Sequence, residues 1–380
     1  MINSLGAGGA EQSLAELLGP LERGGVEAVV ACLGRRDVGP EARVLAQGFD
    51  VRFLRQRRMA PQVVELRRLI RDVRPELVHT AIFDADVVGR LAATGTGATV
   101  LTTLVNTAYD PARSDDPHVS SAKLRVVRAL DAWTARHLTD HFHALTVAVK
   151  DSAVTQLGVA PERVTVVARG RDPERLGRPS PERKALARQR LGLAADDEIV
   201  LHVGRQEYQK DIPTLIEAVI SLARRRPHLV LLQAGRAGHD TAIIEDLAGR
   251  LDGRVRVLGH RDDVAELLAA ADLFAFPSRY EGLGGAVIEA MALGLAVVAS
   301  DLPALREVVE PDGTGVLVAP AKPGLWATAI DELLSDHDRR RAYGRRARQV
   351  FEERFTLTQS VGAMLRLYQE VVTGTVRRHR

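Results

Sequence analysis

Apolar positions along the chain follow two rhythms that take turns. Short runs rich in β-branched residues have the length of strands, and between them lie longer stretches whose apolar residues recur at helical spacing. In the first half the runs are Val26–Leu33, Val51–Leu54, Leu77–Thr80, Ala98–Leu104, His141–Leu145 and Arg163–Ala168. Helical patterns over Glu11–Leu18, Pro61–Val73, Asp84–Ala93, Ser121–Leu138 and Ala148–Leu157 separate them. The stretch Arg169–Gly177, with the Pro and charged residues after it, breaks the alternation and reads as a linker. A second series has strands at Ile199–Val203, Leu229–Gln233, Val255–Leu258, Leu273–Phe276, Ala296–Ala299 and Gly315–Val318, and the chain closes with helices near Leu325–Leu334, Arg339–Phe351 and Gln359–Val372.

This alternation predicts an α/β fold of two doubly wound, Rossmann-like domains, residues 1–168 and 181–355, joined by a linker at 169–180 and facing a central cleft where such folds bind nucleotides. Residues 356–380 are expected to form a helix whose stripe of Val361, Leu365 and Tyr368 packs back on the first domain.

Composition narrows the setting. Apolar residues at 46% and charged residues at 27% suit a globular protein, and 380 residues exceed what one core usually serves. A net charge of +3, from 52 basic against 49 acidic residues, is too even for an electrostatic nucleic-acid binder. The single cysteine, Cys32, lies in an apolar run and cannot form an internal disulfide, so a reduced compartment is expected. No apolar stretch nears the roughly 20 residues of a membrane span, and the opening residues lack a secretory pattern, which gives a cytoplasmic expectation. The first three residues look like the end of a strand entering the turn Gly6-Ala-Gly8-Gly9, and an upstream start is expected.

The densest chemistry lies in Phe276-Pro-Ser-Arg-Tyr-Glu281-Gly-Leu-Gly284-Gly285-Ala-Val-Ile-Glu289. Here a strand ends, a glycine turn follows and a helix begins, so several backbone N–H groups converge where an anion can sit. Glycines keep Cβ atoms out of the way, and the helix dipole favours negative charge. Glu281 precedes the helix and Glu289 lies about a turn inside it, so one carboxylate can meet the sugar and the other the ribose of a bound diphosphate. The plainer alternative makes Glu281 a loop charge and Glu289 the partner of a structural arginine.

This segment resembles the retaining GT-B glycosyltransferases of the family-4 type, also described as glycosyl transferases group 1, whose hallmark is two Glu separated by seven residues around a Gly-rich turn. The resemblance covers nearly the whole chain and implies that Glu281 contacts donor-sugar hydroxyls, that Glu289 binds ribose, and that the N–H groups of Gly284, Gly285 and Ala286 take the distal phosphate. Gly204-Arg205 with Lys210 resembles the family's basic pair, which neutralises the diphosphate leaving group without a metal. Gly235 resembles its nucleotide-side turn, Arg261 and Val264 its base-binding loop, and Gly8 and Gly9 its opening loop. The glycine turns at 235 and 259 read equally as structural punctuation.

Two histidines frequent in the family are missing, at Ala81 and near Val105 or Asn106, and Arg169-Gly-Arg171 stands where the family usually has Asn-Gly. His79, Phe83, Asn106, Tyr109 and Arg171 are the candidates for the acceptor side, His79 also reading as structural. Asp84-Ala-Asp86 has the spacing of a metal-binding pair, but Asp84 reads as a helix N-cap and Asp336 as a turn before a helix, and no metal site is expected. The expected activity is hexosyl transfer from an NDP-sugar, a substrate rather than a cofactor, to a hydroxyl acceptor, glycan, glycolipid or small molecule, with retention implied by the resemblance. An NDP-sugar epimerase, a phosphorylase and a noncatalytic sugar-nucleotide binder are the alternatives. Helix Pro61–Val73, with Arg55, Arg57, Arg58, Arg67, Arg68 and Arg71, suggests peripheral contact with the inner membrane face and a lipid-linked acceptor, against the blander reading of a solvated face.

Overall fold

The computed structural model describes residues 1–36, 38–251 and 253–374. The chain divides into two compact units, the first holding Met1–Ser114, Val119–Gly170 and the segment from Leu357 onward, the second Asp115–His118 and Arg171–Thr356.

Six strands of the first unit run parallel: β1 (Val29–Cys32), β2 (Asp50–Phe53), β3 (Leu77–Ala81), β4 (Thr99–Leu104), β5 (His141–Ala144) and β6 (Val164–Val166). β1 pairs with β2, and β3 to β6 pair in chain order. Ile2 fills the place between the two sets, with parallel bridges to Cys32 and to Ala81. The order therefore runs outward in both directions from the opening residues, as in a doubly wound sheet. Around it lie α1 (Gly9–Arg23), α2 (Glu41–Ala46), α3 (Met59–Val73), α4 (Phe83–Ala93), α5 (Ser121–Leu138) and α6 (Val147–Leu157). α1 runs past its expected stop at Leu18, through Pro20 to Arg23, and seats Leu21 in an apolar cluster. Asp84 is not the cap of α4, contrary to expectation. It lies inside the first turn, and Asn3 does the capping from a distance by accepting from the Ala85 N–H at 2.9 Å and donating to Asp84 at 3.0 Å.

The second unit starts with α7 (Pro173–Leu176) and α8 (Pro181–Arg190), the first of them inside the stretch read as linker. It continues as β7 (Glu198–Val203), α9 (Ile212–Leu222), β8 (Leu229–Ala234), α10 (Thr241–Gly249), β9 (Val255–Val257), α11 (Val264–Ala270), β10 (Leu273–Phe276), α12 (Gly285–Ala292), β11 (Ala296–Ser300), α13 (Pro303–Arg306), β12 (Gly315–Val318), α14 (Pro323–Ser335) and α15 (His337–Arg354). Asp336 caps α15 by accepting from the Arg339 N–H. All six strands are parallel in the order β12-β11-β10-β7-β8-β9, so the winding reverses between β7 and β10. Strand faces alternate into two apolar layers. Val200, Leu231, Ala275 and Val298 pack under α9 and α14, where Trp326 is wholly buried. The reversal opens a crevice at the C-terminal ends of β7 and β10, and that is where this architecture holds ligands.

The chain then returns to the first unit as α16 (Leu357–Thr373), which buries Val361, Met364, Leu367 and Val371 against Leu21, Leu101 and Val167. Beneath it runs a polar chain: Tyr368 Oη meets His79 Nδ1 at 2.8 Å, His79 Nε2 meets Thr103 Oγ1 at 2.5 Å, Thr103 meets His143 Nδ1 at 3.0 Å, and His143 Nε2 donates to the Val167 carbonyl at 2.8 Å. Burial pushes both His141 and His143 down to about 4. In the unfolded chain these groups take up protons near 6.5, so between there and 4 the unfolded state binds more protons and stability rises with pH. Urea unfolding should therefore lose stability as pH falls from 6.5 to 4. Replacing His143 by Gln should remove about one proton from that slope, and an unchanged slope would show that His143 is protonated in the folded protein.

Candidate functional site

β10 ends at Phe276 beside the point of reversal, and the chain turns through Ser278–Leu283 before α12 begins. Gly284, the N-cap, has φ +79, and a Cβ there would lie 2.7 Å from Leu305 Cδ2, so backbone and packing both require glycine. No side chain caps this helix. Among the described residues no acceptor is found for the N–H groups of Gly284, Gly285 and Ala286. A helix end with its first donors unspent is a site for an anion.

Each of the two carboxylates holds a cation. Glu281 is buried and ion-paired with Lys210, and its Oε1 also accepts from Ser278 at 3.3 Å and Gln209 at 3.5 Å. Lys210 Nζ stands 4.7 Å above the Phe276 ring, which stacks on His202. Glu289 accepts from Arg171 Nε at 2.7 Å, and Arg175 approaches the same oxygen at 3.7 Å. The alternative of a structural arginine partner for Glu289 is thus the arrangement observed. Arg171, expected on the acceptor side, is 4% exposed and lies against α12 instead. Its guanidinium is the closer of two cations at a carboxylate set in an otherwise apolar helix.

Arg205 is exposed at the end of β7, and among the described residues no ion pair or hydrogen bond of its side chain is found. Gly204 and Gly235 form one contact: a Cβ on Gly235, whose φ is +156, would fall 1.8 Å from Gly204 O. The glycine after β8 is therefore needed to let two strand-end loops touch. Gln206 and Gln233 brace the same corner through a buried amide pair at 2.9 Å, and Gln233 donates to Gly204 O at 3.0 Å. Arg261 forms a fork with Asp263 ahead of Val264, the first residue of α11.

Sequence reasoning missed Gln209, Ser278, the glutamine pair and His202. His202 donates from Nδ1 to Ala275 O at 3.0 Å, burial pushes it down to about 4, and its Nε2 is buried without a partner. A polar residue inside an otherwise apolar strand was the available signal. Asp196, Asp197 and His228 could together hold a cation, but they lie before β7 and β8, at the opposite sheet end from α12.

In the first unit, Gly8 caps α1, and a Cβ on it would sit 2.2 Å from Glu11 Oε2, while Gly9 faces open space. Tyr109 does not present its hydroxyl as an acceptor-side group: it is buried and donates to Asp131 at 2.8 Å, which in turn pairs with the buried Arg90. His79 has both ring nitrogens engaged. Phe83 and Asn106 are half-buried at the ends of β3 and β4. Arg67 donates to the Leu91 and Ala92 carbonyls and so terminates α4 instead of adding to a basic face, whereas Arg57, Arg58, Arg68 and Arg71 are exposed.

Family models for glycosyl transferases group 1 and for glycosyltransferase family 4 match residues 183–350 and 7–175. D-inositol 3-phosphate glycosyltransferase of Gordonia bronchialis is 31% identical over 319 residues, covering 80% of this chain and 68% of the relative. The chain belongs to glycosyltransferase family 4. A relative of the same name from Corynebacterium kroppenstedtii is 32% identical over 237 residues, or 60% of this chain, and the match spans about half, 52%, of that protein's length. The family-4 chain also has the GT-B fold: it superposes on Anabaena HepE in complex with UDP-glucose with a TM-score of 0.83 at 25% identity, covering 97% of this chain and 98% of that one.

Glycine at the start of α12 is open to a direct check. Gly284→Ala forces both a positive φ and the Leu305 contact, and should cost roughly 1–3 kcal/mol in denaturant unfolding. Gly249→Ala, with open space around its Cβ in an exposed helix, should be neutral or stabilising by up to about 1 kcal/mol. Equal effects would mean that the turn is not constrained as described.

Proposed function

We propose that this chain is a glycosyltransferase that moves a hexosyl unit from an NDP-sugar to a hydroxyl acceptor with retention of configuration and without a metal. The observation that carries the reading is the start of α12, where unspent N–H groups lie between two carboxylates, each already paired with a cation. A diphosphate sugar complements every member of that set: its phosphates accept from the helix end and the cations, and its hydroxyls donate to the carboxylates. Glu281 is assigned to the sugar and Glu289 to the ribose, with Arg205 and Lys210 for the leaving diphosphate. The complex of HepE with UDP-glucose supports a nucleotide-sugar donor.

In the proposed step the bond from the anomeric carbon to the diphosphate oxygen breaks, and the acceptor oxygen bonds to the same face. The acceptor proton passes to the departing phosphate, which removes the need for a dedicated base. Work at the inner membrane face, through the exposed arginines on and before α3, belongs to the same proposal; no helix among the described residues is long and apolar enough to cross a membrane.

The test is mass-spectrometric detection of transfer and donor hydrolysis with UDP-, GDP-, ADP- and dTDP-sugars, beginning with D-inositol 3-phosphate as acceptor because the relatives carry that name. Activity should persist in EDTA. Glu289→Gln should weaken NDP binding by roughly 1.5–3 kcal/mol, and Glu281→Gln should spare NDP binding while lowering turnover. Product with an altered sugar but no transfer would indicate an epimerase. Bound donor with no chemistry would indicate a noncatalytic binder, and loss of activity in EDTA restored by Mg²⁺ would contradict metal independence.

A further inference from the structure

Arg171 is tied down at both ends. Its backbone N–H donates to Phe355 O at 2.8 Å and the residue bridges to Thr356, so the segments that begin and end the main stretch of the second unit are paired to each other at this point. From there the buried side chain reaches α12. Nε meets Glu289, and the terminal nitrogen Nη2 stands so close to Gly285 that a Cβ built on that residue would be 2.1 Å from it.

Gly285 and Glu289 are one helical turn apart, so the guanidinium spans the helix face from the first turn to the ribose carboxylate. Gly285 has no positive φ, and its backbone conformation is open to any residue. What excludes a side chain there is the guanidinium itself. A cation at the positive end of a helix is opposed by the dipole unless an anion joins it. Glu289 meets the Nε edge, and Nη2 lies beside Gly285, the first residue of α12, whose N–H stands with those of Gly284 and Ala286 at the helix start. A guanidinium fork beside such a cluster has the geometry that recognises phosphate.

We propose that Arg171 is a ligand of the donor's diphosphate, reaching the distal phosphate from the side of α12 while holding Glu289 in place for the ribose. This rests on the reading of α12 as the donor site. It moves Arg171 from the acceptor to the donor, and it adds a third cation to Arg205 and Lys210.

The test compares two ligands that share base and ribose and differ by the distal phosphate. UDP and UMP are titrated calorimetrically, with ADP/AMP and GDP/GMP in parallel, against wild type, Arg171→Lys, Arg171→Met, Glu289→Gln and the double variant Arg171→Met/Glu289→Gln. Thermal melts accompany each. In wild type the diphosphate binds tighter than the monophosphate. In Arg171→Met that preference should shrink by about tenfold, the equivalent of one charge-assisted contact. Arg171→Lys should recover part of it, and Glu289→Gln should weaken both ligands by the same factor and leave the preference intact. The double variant carries no unpaired buried charge and should match Arg171→Met, which keeps the result readable if the single variant is unstable. Should both Met variants fail to fold, a wild-type preference in Arg171→Lys overturns the proposal, because an ammonium lacks the fork. If the Arg171 variants weaken UDP and UMP equally, the residue only positions Glu289 and the proposal is overturned while the donor reading stands. If wild type binds none of these nucleotides, both fall.

Discussion

The site depends on one unmet demand of the backbone. α12 begins with donors that no side chain caps, at the place where the winding of its sheet reverses. Such a helix end is tolerable only where water or a ligand reaches it. The surrounding sequence keeps it reachable: Gly284 turns the chain in a left-handed conformation under Leu305, and Gly285 leaves room for a guanidinium. Ser278 and Gln209 hold Glu281 beside the turn.

Charge is arranged around this opening in pairs. A buried carboxylate is costly alone, and a buried ion pair is close to neutral in its effect on stability. Pairing Glu281 with Lys210 and Glu289 with Arg171 therefore leaves neither carboxylate uncompensated. A ligand that brings both hydroxyls and phosphates can add a contact of matching polarity to each member of these pairs. A bare anion offers nothing to the carboxylates, and a plain sugar offers nothing to the cations. That match of residue types is what the proposed nucleotide-sugar donor rests on.

Much of the fold was legible because the central strands of the second unit, β10 and β11, are buried on both faces and so read as unbroken apolar runs. Leu273–Phe276 and Gly315–Val318 were read to the residue. The short helices α2, α7 and α8 were not read, since they are polar or too brief to show a period. Pairings distant in sequence were invisible for a different reason. Local pattern cannot show that Asn3 caps a helix starting at Phe83, that Tyr109 spends its hydroxyl on Asp131, or that Arg67 closes α4. The same holds for Glu289, whose apolar neighbours signalled the need for a partner without naming Arg171. Around α12 the motif was explicit because steric need, glycine by glycine, is written locally.

Where a diphosphate comes to rest decides the role of α12. A crystal structure of this chain grown with UDP, or with whichever nucleoside diphosphate binds, should show the distal phosphate within hydrogen-bonding distance of the N–H groups of Gly284 to Ala286, with the ribose hydroxyls on Glu289. A nucleotide bound elsewhere, with the start of α12 untouched, would contradict that role.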